Sequence, residues 1–327
     1  MKIIEFHFCR SKYISMENNI SILNIIKRLL KDKFSAVALV LVCLYFSFAF
    51  FSEMYALYCS EMKIIPRYEI GSIENAYLPP SGSHWLGTDY KGRDVFLRAV
   101  HASRTAVKIG LFSSFIAVFI GVALGAAGGY FGGWIDDVAV WVYSTFASMP
   151  TLLFVLAFSL LVTKGFLYPP LAEIFNQASA FFHADPGMVA VYLGIGLTGW
   201  VSLCRVVRGE AMKLKNTAYV QAAKALGFSP FKIVMRHVIP NLFHLVIIYF
   251  TIRFAYAVMT EVIVSYLGLG VQLEPSWGVM IADGQQRLWQ GVWWEVAGAT
   301  GFMFFLVLAL HTLGDSLRDI LDPRLKM

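Results

Sequence analysis

Six stretches of this chain stay apolar for about 20 residues each, and that feature alone leaves few folds open. They cover residues 34–51, 106–128, 138–163, 187–207, 241–267 and 293–313. A helix of that length crosses a hydrocarbon layer about 30 Å thick. Helix is forced, because lipid offers backbone N–H and C=O groups no partners. The expected fold class is an all-α membrane protein of six spans. Composition agrees: 58% of residues are hydrophobic and 15% charged, against about half and a quarter in soluble domains.

Lysine and arginine set the orientation of such a chain. With the N-terminus inside, the inner segments hold 17 of them and the outer segments 8. Both termini are therefore expected in the cytoplasm. The chain then divides into an N-terminal segment 1–33, a first span 34–51, an outer loop 52–105, a core 106–313 of five spans, and a tail 314–327. Within the core, residues 205–240 form a cytoplasmic loop. No small-x-small site follows the first apolar block, so that block reads as an uncleaved anchor. The net charge of +6 lies beside the apolar blocks. It reads as an orientation signal, and nucleic acid is not expected as a partner.

Several chemistries lack their residues. There is no GxxxxGK[ST] loop for ATP phosphates, no HExxH and no GxSxG. Cys9, Cys43, Cys59 and Cys204 form no CxxC pair and no metal pattern. No catalytic residue and no metal site is expected.

The most informative segment is the basic loop between the fourth and fifth apolar blocks. Tyr219, Gln221, Ala222, Ala223, Ala225 and Leu226 lie in a helix-favouring run that Gly227 stops. Ser229 and Pro230 are an N-cap and a first-turn proline for a second helix, which runs to Pro240. Two short helices around a glycine turn result, with Lys224, Lys232 and Arg236 as a basic rim. Residue chemistry alone supports an amphipathic hairpin on the membrane surface as well as a docking surface for another protein.

The spacing of this segment resembles the EAA loop of ATP-binding-cassette importer permeases, in which Glu-Ala-Ala precedes a glycine by three residues and a proline follows. Here Gln221 replaces the glutamate, and His237 and Ile239 replace the hydrophobic pair before Pro240. Further stretches agree in order. His84-Trp85-Leu86-Gly87-Thr88-Asp89 with Gly92-Arg93-Asp94-Val95 resembles a stretch of dipeptide and oligopeptide permeases, with Trp85 in place of a proline. So do Gly129-Tyr130-Phe131-Gly132-Gly133-Trp134-Ile135-Asp136, and Leu267-Gly268-Leu269-Gly270-Val271 with Pro275-Ser276-Trp277-Gly278. The tail adds Gly314-Asp315, Leu317-Arg318-Asp319 and Leu321-Asp322-Pro323-Arg324. Together they resemble the C-type permease of the dipeptide/oligopeptide/nickel class.

The resemblance implies a six-helix type I importer transmembrane domain in the bacterial inner membrane, with residues 52–105 periplasmic. It implies a second, B-type permease, two ATPase subunits that use ATP and magnesium, and a periplasmic or extracellular substrate-binding protein. This chain would bind no cofactor itself. Tyr219, Gln221, Ala222, Ala223, Gly227 and Pro240 would couple it to the ATPases. Peptide is the implied substrate, with nickel, glutathione or a peptide antibiotic as alternatives. A stand-alone secondary transporter would leave the loop unexplained.

Two ionisable residues fall inside the fifth block. Arg253 and Glu261 are eight residues apart, about 12 Å along a helix. Either they pair with neighbouring helices or they are pore groups that steer peptide termini. Gly121, Gly125 and Gly129 recur every four residues, a small-xxx-small pattern for close helix approach within the chain or against the second permease.

Overall fold

Apolar runs become helices where a side chain can satisfy their first free N–H groups. The computed structural model describes residues 22–166, 169–182, 186–271 and 274–321. Cys9, most of the segment 1–33 and the Asp322-Pro323-Arg324 end of the tail motif lie outside the described residues. A short helix α1, Ile22–Leu29, leads to Asp32, whose carboxylate accepts from Ser35 N at 2.9 Å. That cap starts α2, Lys33–Met62. Asp94 caps α3, Val95–Phe131, in the same way through Leu97 N. Then follow α4 (Gly133–Ser148), α5 (Thr151–Thr163), α6 (Pro169–Phe182), α7 (Pro186–Gly199) and α8 (Val201–Lys215). The chain closes with α9 (Ala218–Ala225), α10 (Pro230–Ile233), α11 (Phe243–Tyr266), α12 (Trp277–Gln285) and α13 (Trp294–Leu321).

One expected span is not a single helix. Over 138–163, α4 and α5 meet at 87°. Pro150 has no N–H to continue α4, and Met149 before it is extended at φ −85°, ψ 132°, the region a residue preceding proline favours. Among the described residues, five helical stretches are long and apolar enough to cross a membrane: Lys33–Met62, Val95–Phe131, Pro186–Lys215, Pro230–Tyr266 and Trp294–Leu321. The bent pair makes a sixth only when both arms count as one crossing. The first span reaches beyond residue 51 and the second begins before 106, so the loop between these helices, expected over 52–105, narrows to residues 63–94.

Helix α3 is the centre of the bundle and packs against α2, α7, α8 and α11. Lipid tails are as apolar as leucine, so helices in a membrane associate by close packing and not by leaving water. Gly121, Gly125 and Gly129 serve that purpose within the chain. A β-carbon at Gly121 would lie 3.0 Å from the Trp200 carbonyl oxygen, and one at Gly125 2.6 Å from that of Cys204. One at Gly129 would strike the Arg208 carbonyl. The α8 backbone therefore rides directly on α3.

The loop over residues 63–94 is built around one carboxylate. Asp89 is fully buried and accepts from Arg93 Nε and an Arg98 guanidinium nitrogen, both at 2.7 Å. It also accepts from the backbone N–H groups of Lys91 and Arg93. Gly92, at φ +73°, makes that turn possible. Arg93 reaches Glu69 as well, at 2.8 Å. Burial disfavours the Arg93 charge, but Asp89 and Glu69 outweigh it and raise its pKa. Trp294 Nε1 donates to the Thr88 carbonyl, which ties this knot to α13. The motif around Gly87 and Asp94 thus folds the loop onto the N-terminal end of α3.

Candidate functional site

The segment between α8 and α11 stands on buried apolar anchors. Val220 and Ala223 of α9, with Ile233, Val234 and Val238 beyond it, pack against Ala126 and Tyr130 of α3 and against Leu203, Val207 and Ala211 of α8. Ala223 is 5% exposed, so its small size is needed inside. Its neighbour Ala222 is exposed. The two alanines of the motif therefore do different jobs, one as anchor and one as surface.

The turn at Gly227 closes as a Schellman motif. Phe228 N donates to the Ala223 carbonyl at 3.2 Å, and Gly227 N to that of Lys224 at 3.0 Å. Gly227 sits at φ +79°, which an L side chain adopts only with strain. Ser229 then accepts from Lys232 N, with Pro230 at the first helical position. The result is a knob over residues 224–232 in which Leu226 is 75% exposed and Phe231 70%. Lys232 lies over the Phe228 ring at 4.8 Å. Two large apolar side chains are thus held in the open beside lysines.

Gln221 is also exposed, and its amide nitrogen donates to the Lys215 carbonyl at 2.8 Å. It caps the end of α8, which a glutamate could not do. Tyr219 is half-buried against the same core. Pro240 lies where the segment joins the membrane helix. The backbone passes through a π turn, Val234–Val238, and a 3-10 turn, Ile239–Leu242, before α11. A proline removes a donor and crowds the carbonyl four residues back. The Asn241 side chain donates to the neighbouring His237 carbonyl at 2.6 Å. The second helix is therefore shorter than expected, yet it continues without a break into the span.

A brace that sequence reasoning missed lies just before the segment. Arg208 on α8 pairs with both carboxylate oxygens of Asp136 on α4, at 2.5 and 2.6 Å. Its signal was present, since Asp136 ends the Gly132-Gly133 stretch and Arg208 lies in the basic loop. Only the fold shows that they meet. The ion pairs Lys108–Glu53 at 2.6 Å and Arg104–Glu274 at 2.5 Å tie α3 to α2 and to the segment before α12 and were likewise unforeseen.

Arg253 and Glu261 do not pair with each other. Glu261 is 1% exposed and accepts from the Ser265 and Ser276 hydroxyls at 2.7 and 2.6 Å. Ser276 also caps α12, so Glu261 fastens the end of α11 to the next element. Arg253 lies against Gly199, with the Tyr256 ring 5.5 Å away. Among the described residues, no three His, Cys, Asp or Glu side chains gather as metal ligands.

Residues 117–327 match the family of binding-protein-dependent transport system inner membrane components. The chain is 31% identical to a dipeptide transport system permease of Bacillus subtilis, over 78% of this chain and 73% of that protein. It is 30% identical to an oligopeptide transport system permease of the same organism, over 91% and 88%. A glutathione transport system permease of Pectobacterium atrosepticum is 28% identical over 76% and 75%.

Proposed function

The chain belongs to the family of inner membrane components of binding-protein-dependent transport systems, and from that premise we propose that it is a permease subunit carrying di- or oligopeptides inward. Its place is the bacterial inner membrane, with both termini and the segment 205–240 in the cytoplasm. A B-type permease completes the pore, two ATPase subunits hydrolyse ATP with magnesium, and a binding protein delivers substrate. The knob at 224–232 docks on one ATPase and passes its motion to α8 and α11. The relatives named for dipeptide and oligopeptide transport support peptide as cargo. The glutathione relative keeps that tripeptide as a second reading.

The observation that carries the coupling role is the exposed pair Leu226 and Phe231, displayed on a glycine turn whose other side is buried. The mechanical sense follows from the anchors. Val220 and Ala223 share one buried cluster with residues of α3 and α8, so pressure on the knob passes through that cluster to both helices. Alternating access requires an ATPase that contacts the knob differently in its two states. The test uses Leu226→Cys with a thiol-directed photocrosslinker in membranes holding the whole transporter, and the parent chain as background. An adduct with the ATPase subunit is expected. An adduct formed only with other proteins would overturn the docking role.

A further inference from the structure

Arg253 lies ten residues into α11, about 15 Å along the axis from Phe243, deep in the Pro230–Tyr266 stretch. Among the described residues it makes no ion pair and donates no hydrogen bond, and its Nε is buried without a partner. The guanidinium fits against Gly199 at the α7–α8 junction because glycine leaves room; a β-carbon there would collide with it. By contrast Arg104, Lys108 and Arg208 each hold a carboxylate.

The position on the helix matters as much as the missing partner. Ala255, Val258 and Val262 of α11 face the packed core. Tyr256, Met259 and Ile263 form an exposed strip about 100° round the helix from that face. Arg253 stands at the edge of that strip. Lipid is a poor cover for it there, since an arginine at the centre of a span is costly on every insertion scale. Such a side chain faces a water-filled path or a protein surface instead. A guanidinium offers a planar fork of donors that matches a carboxylate in two parallel hydrogen bonds. Every linear peptide with a free C-terminus carries that group, whatever its side chains.

We propose that Arg253 is a substrate-binding residue of the translocation path and that it takes the carboxylate of the passing peptide. This rests on the peptide-import reading. Gly199 serves as the positioning residue that leaves the guanidinium its place, and the Tyr256 ring backs it.

The test reconstitutes the complete transporter in proteoliposomes with saturating binding protein. Uptake of a tripeptide is compared with that of its C-terminal amide, for the parent chain and for Arg253→Gln and Arg253→Lys. Each variant is normalised to assembled complex. For free tripeptide, Arg253→Gln is expected to lower uptake about ten-fold, the scale of one lost charge-assisted pair. Amide uptake is expected to stay within two-fold of parent, and Arg253→Lys to fall between. Equal losses for both substrates, the outcome if Arg253 pairs with an acid of the second permease, would overturn the proposal. So would no loss for either. If the parent complex moves neither substrate, the peptide reading itself fails, and the proposal with it.

Discussion

Replacing Gly227 tests the coupling turn through backbone conformation alone. The residue sits at φ +79° and no atom lies within 4 Å of where its β-carbon would be. Gly227→Ala therefore meets no steric obstacle inside the chain. Its cost is the left-handed backbone, about 1–2 kcal/mol for an L residue. At about 1.4 kcal/mol per factor of ten, the knob shape becomes roughly 5- to 30-fold less populated relative to competing turns. Asparagine tolerates this region better than alanine, so Gly227→Asn is expected to lose less. Gly227→Asp adds a carboxylate to the docking face and is expected to uncouple the chain while leaving it inserted. The buried anchors Val220, Ala223 and Ile233 are untouched in all three variants, so yields of folded protein are expected to match the parent. The assay is ATPase co-purified per permease, read beside peptide uptake in proteoliposomes. The expected order is parent, then Asn, then Ala. Full activity of Gly227→Ala would refute the conformational reasoning. Equal impairment of Ala and Asn would refute it too, because bulk at the docking face would then be the constraint.

Other expectations follow from packing and charge. Gly125→Leu drives a side chain into the Cys204 carbonyl, where even a β-carbon would lie 2.6 Å away. Overpacking of this kind costs about 1–3 kcal/mol or more, so the thermal midpoint of detergent-purified protein should fall, and an unchanged midpoint would contradict the α3–α8 contact. Asp89→Asn leaves Arg93 and Arg98 without their shared anion. Breaking a buried pair costs about 3–5 kcal/mol, and residues 63–94 should become sensitive to protease added from the outer side. Resistance equal to the parent would refute that role. A double-mutant cycle on Asp136 and Arg208, two partly exposed groups, should show coupling of about 1 kcal/mol in thermal stability. Strict additivity of the single substitutions would mean the pair contributes nothing.

What the residues revealed depended on how local each signal was. The turn at Gly227 was legible because helix formers, a glycine, a serine and a proline follow one another within a few positions. The small-residue face of α3 was legible as a spacing, but whether it met α8 or another subunit required the fold. The break at Met149 and Pro150 was hidden because apolar residues continue on both sides, so hydropathy does not change at the bend. Buried charges were the least legible. Ser265 lies one turn from Glu261 and was within reach of helix geometry. Ser276 arrives from a later loop, so the fate of Glu261, and the contrast with the unpaired Arg253, emerged only in three dimensions.

Uptake in cells lacking this gene tests the central claim most directly, with labelled di-, tri- and pentapeptides measured beside glutathione and radioactive nickel. Loss of peptide uptake with nickel uptake intact, restored by the parent chain, is the expected result. Loss of nickel uptake alone, with every peptide still entering at the parent rate, would contradict the assignment of peptide as its cargo.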